Sequence, residues 1–354
     1  MQLSSQQVLL ALVSVLVLST TLSLPLLYIP FSTKPVFGDG LTQEQLSASM
    51  GGRKADLLIK TIPSVVTTET LQNGQKPIIL FRLFDSNTNQ SFNHVTYYII
   101  VEKDGKRLLS DMFHDHDGEL KVQLNPENSS RIAIISAEHD PLLDTWSGSQ
   151  TNPVRISGPI FLNGGLYHFI VKIETVDSDY TLLPDNQQPI YDSWLSVGNT
   201  ENRQVDIDGK QIPIKIISYY DKLREFGFDN NTMQMKFVMP FNWNSSRLNK
   251  ANIFVHEEVT VPKANTFTTK GTFIGKVNDI DISKDVVVDH TNPKMDVIHV
   301  MIPKNNLIQL ADQVNKNGEA SSGLMKFTLE PGSGSMNGSM GSMSGTGSSM
   351  GSMS

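Results

Sequence analysis

Apolar and polar side chains alternate along most of the chain from residue 77 onward, the period-two pattern that turns one face of a strand to a core and the other to a second surface. The run "PIILFRLFDS" (77–86) opens it. In "HVTYYIIVEKDGKRLLSDMFH" (94–114), Asp104-Gly105 lies between two strand-like halves. Asp-Gly between apolar runs is a strong hairpin signal, because the favoured turn needs positive φ at both residues. The same Asp-Gly-Lys triplet recurs in "VDIDGKQIPIKII" (205–217) and predicts a second hairpin at Asp208-Gly209. "TMQMKFVMPF" (232–241) places Met233, Met235, Phe237 and Met239 on one strand face, where methionine among aromatics is core filler. "ANIFVHEEVTV" and "MDVIHVMIP" supply further strands, and only residues 306–314 have convincing helical spacing, through Leu307, Leu310 and Ala311.

"GGLYHFIVKIETV" (164–176) sets Tyr167, Phe169, Val171 and Ile173 toward a core and His168, Ile170, Lys172 and Glu174 toward a second face, where His168 reads as a solvated strand residue. Its Gly-Leu-Tyr start resembles the tyrosine corner of immunoglobulin-like sandwiches. The expected fold is therefore all-β, with two tandem immunoglobulin-like β-sandwich domains at 55–200 and 201–331. A linker at 32–54, read from its Pro, Gly, Ser and Gln content, precedes them.

Both ends depart from this pattern. Residues 8–29 contain no charged side chain, and about 20 apolar residues in a helix cross a hydrocarbon layer of about 30 Å. The segment 1–31 is expected to be an apolar helix that anchors the chain in a membrane, or a cleaved signal ending near Ser19, Thr21 or Ser23. The nearest basic residue, Lys34, lies on its C-terminal side and by itself argues for the opposite orientation. Five glycosylation-type tripeptides, at Asn89, Asn128, Asn230, Asn244 and Asn337, fit an exported surface on the extracytoplasmic face, or a secreted chain if the segment is cleaved. From 332 to 354 the chain is Gly, Ser and Met with one Asn and one Thr, a composition that cannot bury a core and predicts disorder.

Composition narrows the chemistry. Net charge −7 and the absence of a basic stripe exclude a nucleic-acid partner. With no cysteine, the chain has no disulfides, thiolate metal ligands or cysteine nucleophile. No nucleophile elbow, phosphate loop or dinucleotide fingerprint appears, so no enzyme is expected.

The densest chemistry lies in "FHDHDGEL" (113–120). In an extended segment, residues two apart share a face, so His114 and His116 can both reach one ion, with His139 as a third imidazole and Asp111, Asp115, Asp117 and Glu119 as nearby oxygens. Imidazoles suit Cu(II) or Zn, whereas the carboxylates alone suit Ca. The other reading is a polar turn whose aspartates bond their own backbone. His256 and Glu258 share a strand face and read as a surface salt-bridge ladder or a metal pair. In the tail, Met336, Met340, Met343, Met350 and Met353 recur at short intervals; thioethers select Cu(I) and need no deprotonation. A low-complexity tail with no ligand role is the alternative.

The run "MPFNWNSSRLNKANIFVHEEVTVPK" (239–263), with "FHDHDGEL" and "GGLYHFIVKI", resembles uncharacterised secreted or membrane-anchored β-rich proteins of ammonia-oxidising archaea, over roughly residues 55–330. That resemblance implies an envelope location in copper-dependent organisms and assigns no residue a role. The expectation is a membrane-tethered extracytoplasmic protein that binds copper through its tail and at His114, His116 and His139. The alternatives are a metal-free structural or partner-binding envelope protein, or an accessory subunit of a membrane copper enzyme.

Overall fold

The computed structural model describes residues 42–332 except 251, 264 and 270. The described residues belong to one compact unit, built almost wholly from antiparallel β-sheet. The first sheet runs in the order β1 (Gln43–Met50), β2 (Arg53–Ile62), β3 (Ile78–Asp85), β6 (Leu120–Pro126), β10 (Val154–Gly158) and β7 (Ala133–Ser136). The second runs β12 (Ile190–Val197), β11 (Gly165–Thr175), β4 (Val95–Lys103), β5 (Lys106–Asp115), β9 (Thr145–Ser147) and β8 (Glu138–Asp140). Their inward residues form one core, which includes Leu57, Ile59, Phe81, Tyr97, Ile99, Phe113, Tyr167 and Phe169.

A second pair of sheets follows. One is β13 (Asn199–Ile207), β14 (Lys210–Ser218), β17 (Val255–Pro262), β21 (Met295–Ile302) and β20 (Val286–Asp289). The other is β15 (Glu225–Asp229), β16 (Gln234–Pro240), β22 (Leu324–Pro331), β18 (Phe273–Val277) and β19 (Ile280–Asp281). Met235, Phe237 and Met239 are fully buried in the core of this pair, as strand-spaced core filler should be. Two short helices, α1 (Thr68–Gln72) and α2 (Ser245–Lys250), precede a longer one, α3 (Lys304–Lys316), which buries Leu307, Leu310, Ala311 and Val314. Among the described residues no helix is long and apolar enough to cross a membrane; the apolar run at 8–29 and the tail methionines lie outside them.

Both Asp-Gly dipeptides are tight hairpin turns with positive φ at each residue, 51° and 73° at Asp104-Gly105, 55° and 74° at Asp208-Gly209. The Tyr167 hydroxyl donates to the Asn163 carbonyl at 2.7 Å, four residues back, so the Gly-Leu-Tyr start does lock a strand entry onto the preceding loop. His168, expected to be solvated, instead stacks on Trp194 with centroids 4.3 Å apart. The stretch assigned to a linker corrects more sharply: residues 43–50 are strand β1, paired in register with β2. Glu44, Leu46, Ala48 and Met50 alternate inward there, and only one of the four is a large aliphatic side chain, so the period was hidden by composition.

Glu44 is buried by this strand, and its carboxylate accepts from the Ser193 hydroxyl (2.7 Å), the Trp194 amide (2.6 Å) and the Asn252 side chain (2.7 Å). Only Gly198 separates β12 from β13. Its N–H donates to Val66 and its carbonyl accepts from Thr68, at 2.9 and 2.8 Å, and an added Cβ would lie 2.6 Å from Ile217 Cγ2.

Along β17, Val255, Val259 and Val261 enter the second core, and Glu257 shares their face without any exposure. Its Oε1 accepts from Ser218 at 2.9 Å, while Oε2 has no hydrogen-bond partner. Burial, with smaller repulsion from Glu258 and Asp221, raises its pKa well above the ordinary 4.5. The folded state therefore holds a proton that the unfolded chain releases near pH 4.5, so this residue lowers stability as pH rises from there to the folded pKa. Glu257→Gln should make the chain more stable than the parent at pH 8 and flatten its pH dependence above pH 5, measured by denaturant unfolding in metal-free buffer.

Candidate metal centre

The pairing of β4 with β5 is shifted by one residue between Val101 and Glu102: Glu102 faces Arg107, but Val101 faces Leu109, leaving Leu108 as the extra residue of a bulge. From there the register holds through Thr96 opposite His114 and Val95 opposite Asp115. One step further, the His94 amide donates to the His116 carbonyl at 3.4 Å. Residues opposite each other share a face, so Thr96, His114, His94 and His116 gather on the side away from the first core.

Asp179, on the loop after β11, completes the cluster. Its Oδ1 lies 2.6 Å from His94 Nδ1, 3.0 Å from His114 Nε2 and 3.5 Å from His116 Nδ1, and the two Nδ1 atoms of His94 and His116 are 3.3 Å apart. All four ligand atoms lie within 4.8 Å of one another. Around an ion with bonds of about 2.0–2.1 Å, tetrahedral ligand atoms are separated by about 3.3 Å. The observed spacings bracket that value, so an ion could enter with small side-chain shifts.

His114 is buried and has a defined orientation. Its Nδ1 is 2.8 Å from Thr96 Oγ1, which lies 2.8 Å from Thr175 Oγ1; Thr175 in turn donates to the His94 carbonyl at 3.2 Å. A proton on Nδ1 toward Thr96 leaves Nε2 as the lone-pair nitrogen aimed into the cluster, the outer-shell arrangement that holds a ligating imidazole. Burial, then the proximity of His116 and His94, lowers the His114 pKa despite the opposing pull of Asp179, so the ring is neutral at neutral pH. Burial acts to raise Asp179, but the His94 hydrogen bond and the neighbouring imidazoles outweigh it and hold the carboxylate below its ordinary range.

The structure thus joins His114 to His116, as their spacing predicts, and adds His94 and Asp179, which the sequence reading did not include. His139 is placed differently. It pairs across to Trp146, in the row of core-facing Phe113, whereas His114 is in the row of Ser147 and Glu138. The pleat therefore turns it to the other face. It borders the same depression, of about 300 Å³, but its Nε2 bonds to Asp144 at 2.9 Å and its ring packs on Trp146. Of the acidic neighbours, none is in the ligand group: Asp115 faces the core side and accepts from the Gly118 and Glu119 amides. The turn reading of "DHDG" is accordingly true of Asp115 and Gly118 (φ 81°), and the histidines occupy the opposite face of the same segment. At Gly118 a Cβ would meet the Phe92 carbonyl at 2.4 Å.

Comparison with protein-family models, with characterised proteins and with solved structures finds no match. The cluster's own chemistry is what remains to argue from: three imidazoles and one carboxylate form a nitrogen-rich set suited to Cu(II) or Zn and unlike the all-oxygen shell of Ca.

Thr96→Val, which keeps the shape but removes the hydroxyl facing His114, should weaken Cu(II) or Zn binding by roughly 10- to 100-fold. His139→Ala should leave that affinity within about twofold. Competition titration against a chromophoric chelator reads both.

Proposed function

We propose that this protein is an extracytoplasmic, membrane-tethered metal-binding protein whose resident site is formed by His94, His114, His116 and Asp179 and takes copper as Cu(II). The observation that carries the reading is the convergence of four donor atoms from three separate chain segments, all within 4.8 Å of one another, with Asp179 Oδ1 2.6 to 3.5 Å from the three imidazoles. Such a set binds Cu(II) more tightly than Zn by the general order of divalent-ion affinity. The five methionines from Met336 to Met353 are a second, softer donor set for Cu(I) in the same reading.

The finer architecture belongs to the proposal as well: two immunoglobulin-like sandwiches in tandem, supported by the four sheets, the two cores and the Tyr167 corner. Tethering rests on the uncharged apolar run at 8–29. An exported surface is supported by Asn89, Asn128, Asn230 and Asn244, which are all exposed. One observation favours a metal-free envelope protein instead. Asp179 already accepts from His94 and lies beside two further imidazoles, an arrangement that can pin its loop without an ion.

The test is metal titration of the full chain. His114→Ala with His116→Ala should remove Cu(II) binding at this centre while leaving the far-ultraviolet dichroism of the folded chain unchanged. If the double variant keeps the parent's Cu(II) affinity, the metal reading of this cluster fails and the loop-pinning one stands. Replacing all five tail methionines by leucine should abolish Ag(I) or Cu(I) binding and leave Cu(II) binding as it was.

A further inference from the structure

The sheet of β13, β14, β17, β21 and β20 carries a second convergence of donors on the face away from its core. With Val255, Glu257, Val259 and Val261 turned into the core, the pleat sends His256 and Glu258 to the opposite side. The register of β17 on β21 sets His299 directly across from Glu258, and Met301 across from His256. Opposite residues on one face have Cβ atoms about 5 Å apart and diagonal ones about 7–8 Å apart or somewhat less, within reach of long side chains. The three side chains do meet. His256 Nε2 lies 3.1 Å from His299 Nδ1 and 3.6 Å from Glu258 Oε1, and His299 Nδ1 is 3.8 Å from that same oxygen.

This is no surface salt-bridge ladder, as the "HEE" spacing suggested. His256 is 1% exposed and Glu258 8%, the Tyr219 ring stacks on His256 at 5.1 Å, and only His299 is half-buried.

We propose that His256, Glu258 and His299 form a second site for a divalent transition ion of the zinc class, distinct from the His94 cluster. The three separations lie close to the roughly 3.3 Å expected between ligand atoms of a tetrahedral ion with bonds of about 2.0–2.1 Å. Two imidazoles and a carboxylate are a balanced donor set: nitrogen for affinity, one negative oxygen against the ion's charge. The side nearest solvent is that of His299. His299 pairs outward with Val287 on the edge strand β20, and Val287 is 41% exposed. Three protein ligands leave a fourth position for water.

The test uses the full chain, stripped with chelator and titrated with Co(II), whose visible absorption reports tetrahedral nitrogen–oxygen coordination. In the His114→Ala/His116→Ala background, which lacks the first centre, about one equivalent should still bind with that absorption and be displaced by Zn. Adding His299→Ala or the near-isosteric Glu258→Gln should abolish the absorption or weaken binding by at least about tenfold. Should the His299 variant fail to fold, Glu258→Gln decides alone. The proposal is overturned if the double variant binds no Co(II), or if Glu258→Gln binds as the double variant does. Failure of the first centre gives a different pattern: the parent would hold only the equivalent sensitive to Glu258→Gln, and the His114/His116 changes would have no effect.

Discussion

The one-residue bulge at Leu108 governs what the first pair of sheets can do. Side chains alternate faces at every residue, so the pairing of β4 with β5 decides as a unit which residues enter the core and which meet outside it. With Leu108 unpaired, Val95, Tyr97, Ile99 and Phe113 pack inward, and Thr96, His114 and His116 face the loop that carries Asp179. Without it, the tight turn at Asp104-Gly105 would pair His94 with Asp115, and no imidazole would lie across from His116. The hairpin's stability and the cluster's existence thus depend on the same backbone irregularity.

The two donor clusters share one construction. Each takes two ligands spaced by two along the chain, His114 at the end of β5 with His116 just beyond it and His256 with Glu258 on β17, and a third from the antiparallel neighbour, His94 just before β4 and His299 on β21. A cysteine-free chain has only imidazoles, carboxylates and thioethers with which to hold a transition ion, and a pleated sheet is an economical place to converge the first two. The clusters differ in their surroundings. The first borrows its carboxylate from a partly open loop and is oriented by buried threonines, whereas the second lies wholly on two strands beneath an aromatic ring.

Much of the strand architecture was legible in the sequence because it rests on local rules. The Asp-Gly turns, the strand faces of Tyr167 and Phe237, and the position of α3 follow from periodicity and turn chemistry. The H-x-H spacing was legible for the same reason. His94 was not, since its partnership depends on the bulge, and an unbroken register would have misplaced it by one residue. Asp179 lies 63 residues or more from its partner imidazoles on an irregular loop, and no periodicity announces a loop contact. His139 falls outside the group because the pairing of β8 with β9 puts it in the row of Trp146 and Phe113, a register that spacing along the chain does not reveal. β1 was not legible because its inward positions include Glu44, a charged residue buried among partners that lie 149 to 208 positions away.

The junction at Gly198 also bears on how the molecule would come apart. With a single residue between β12 and β13 and both of its peptide groups bonded to the segment around Val66 and Thr68, the chain has no slack at which one core could loosen while the other stayed intact. The Glu44 carboxylate adds a tie from β1 to β12 and to Asn252. Opening either half strands hydrogen-bonding groups of the other, so the energetic unit is larger than either core. Amide protons at Gly198 and Thr68 then exchange with solvent only through openings that involve both cores together, and the seam between the sheets behaves as part of the protected interior rather than as a hinge.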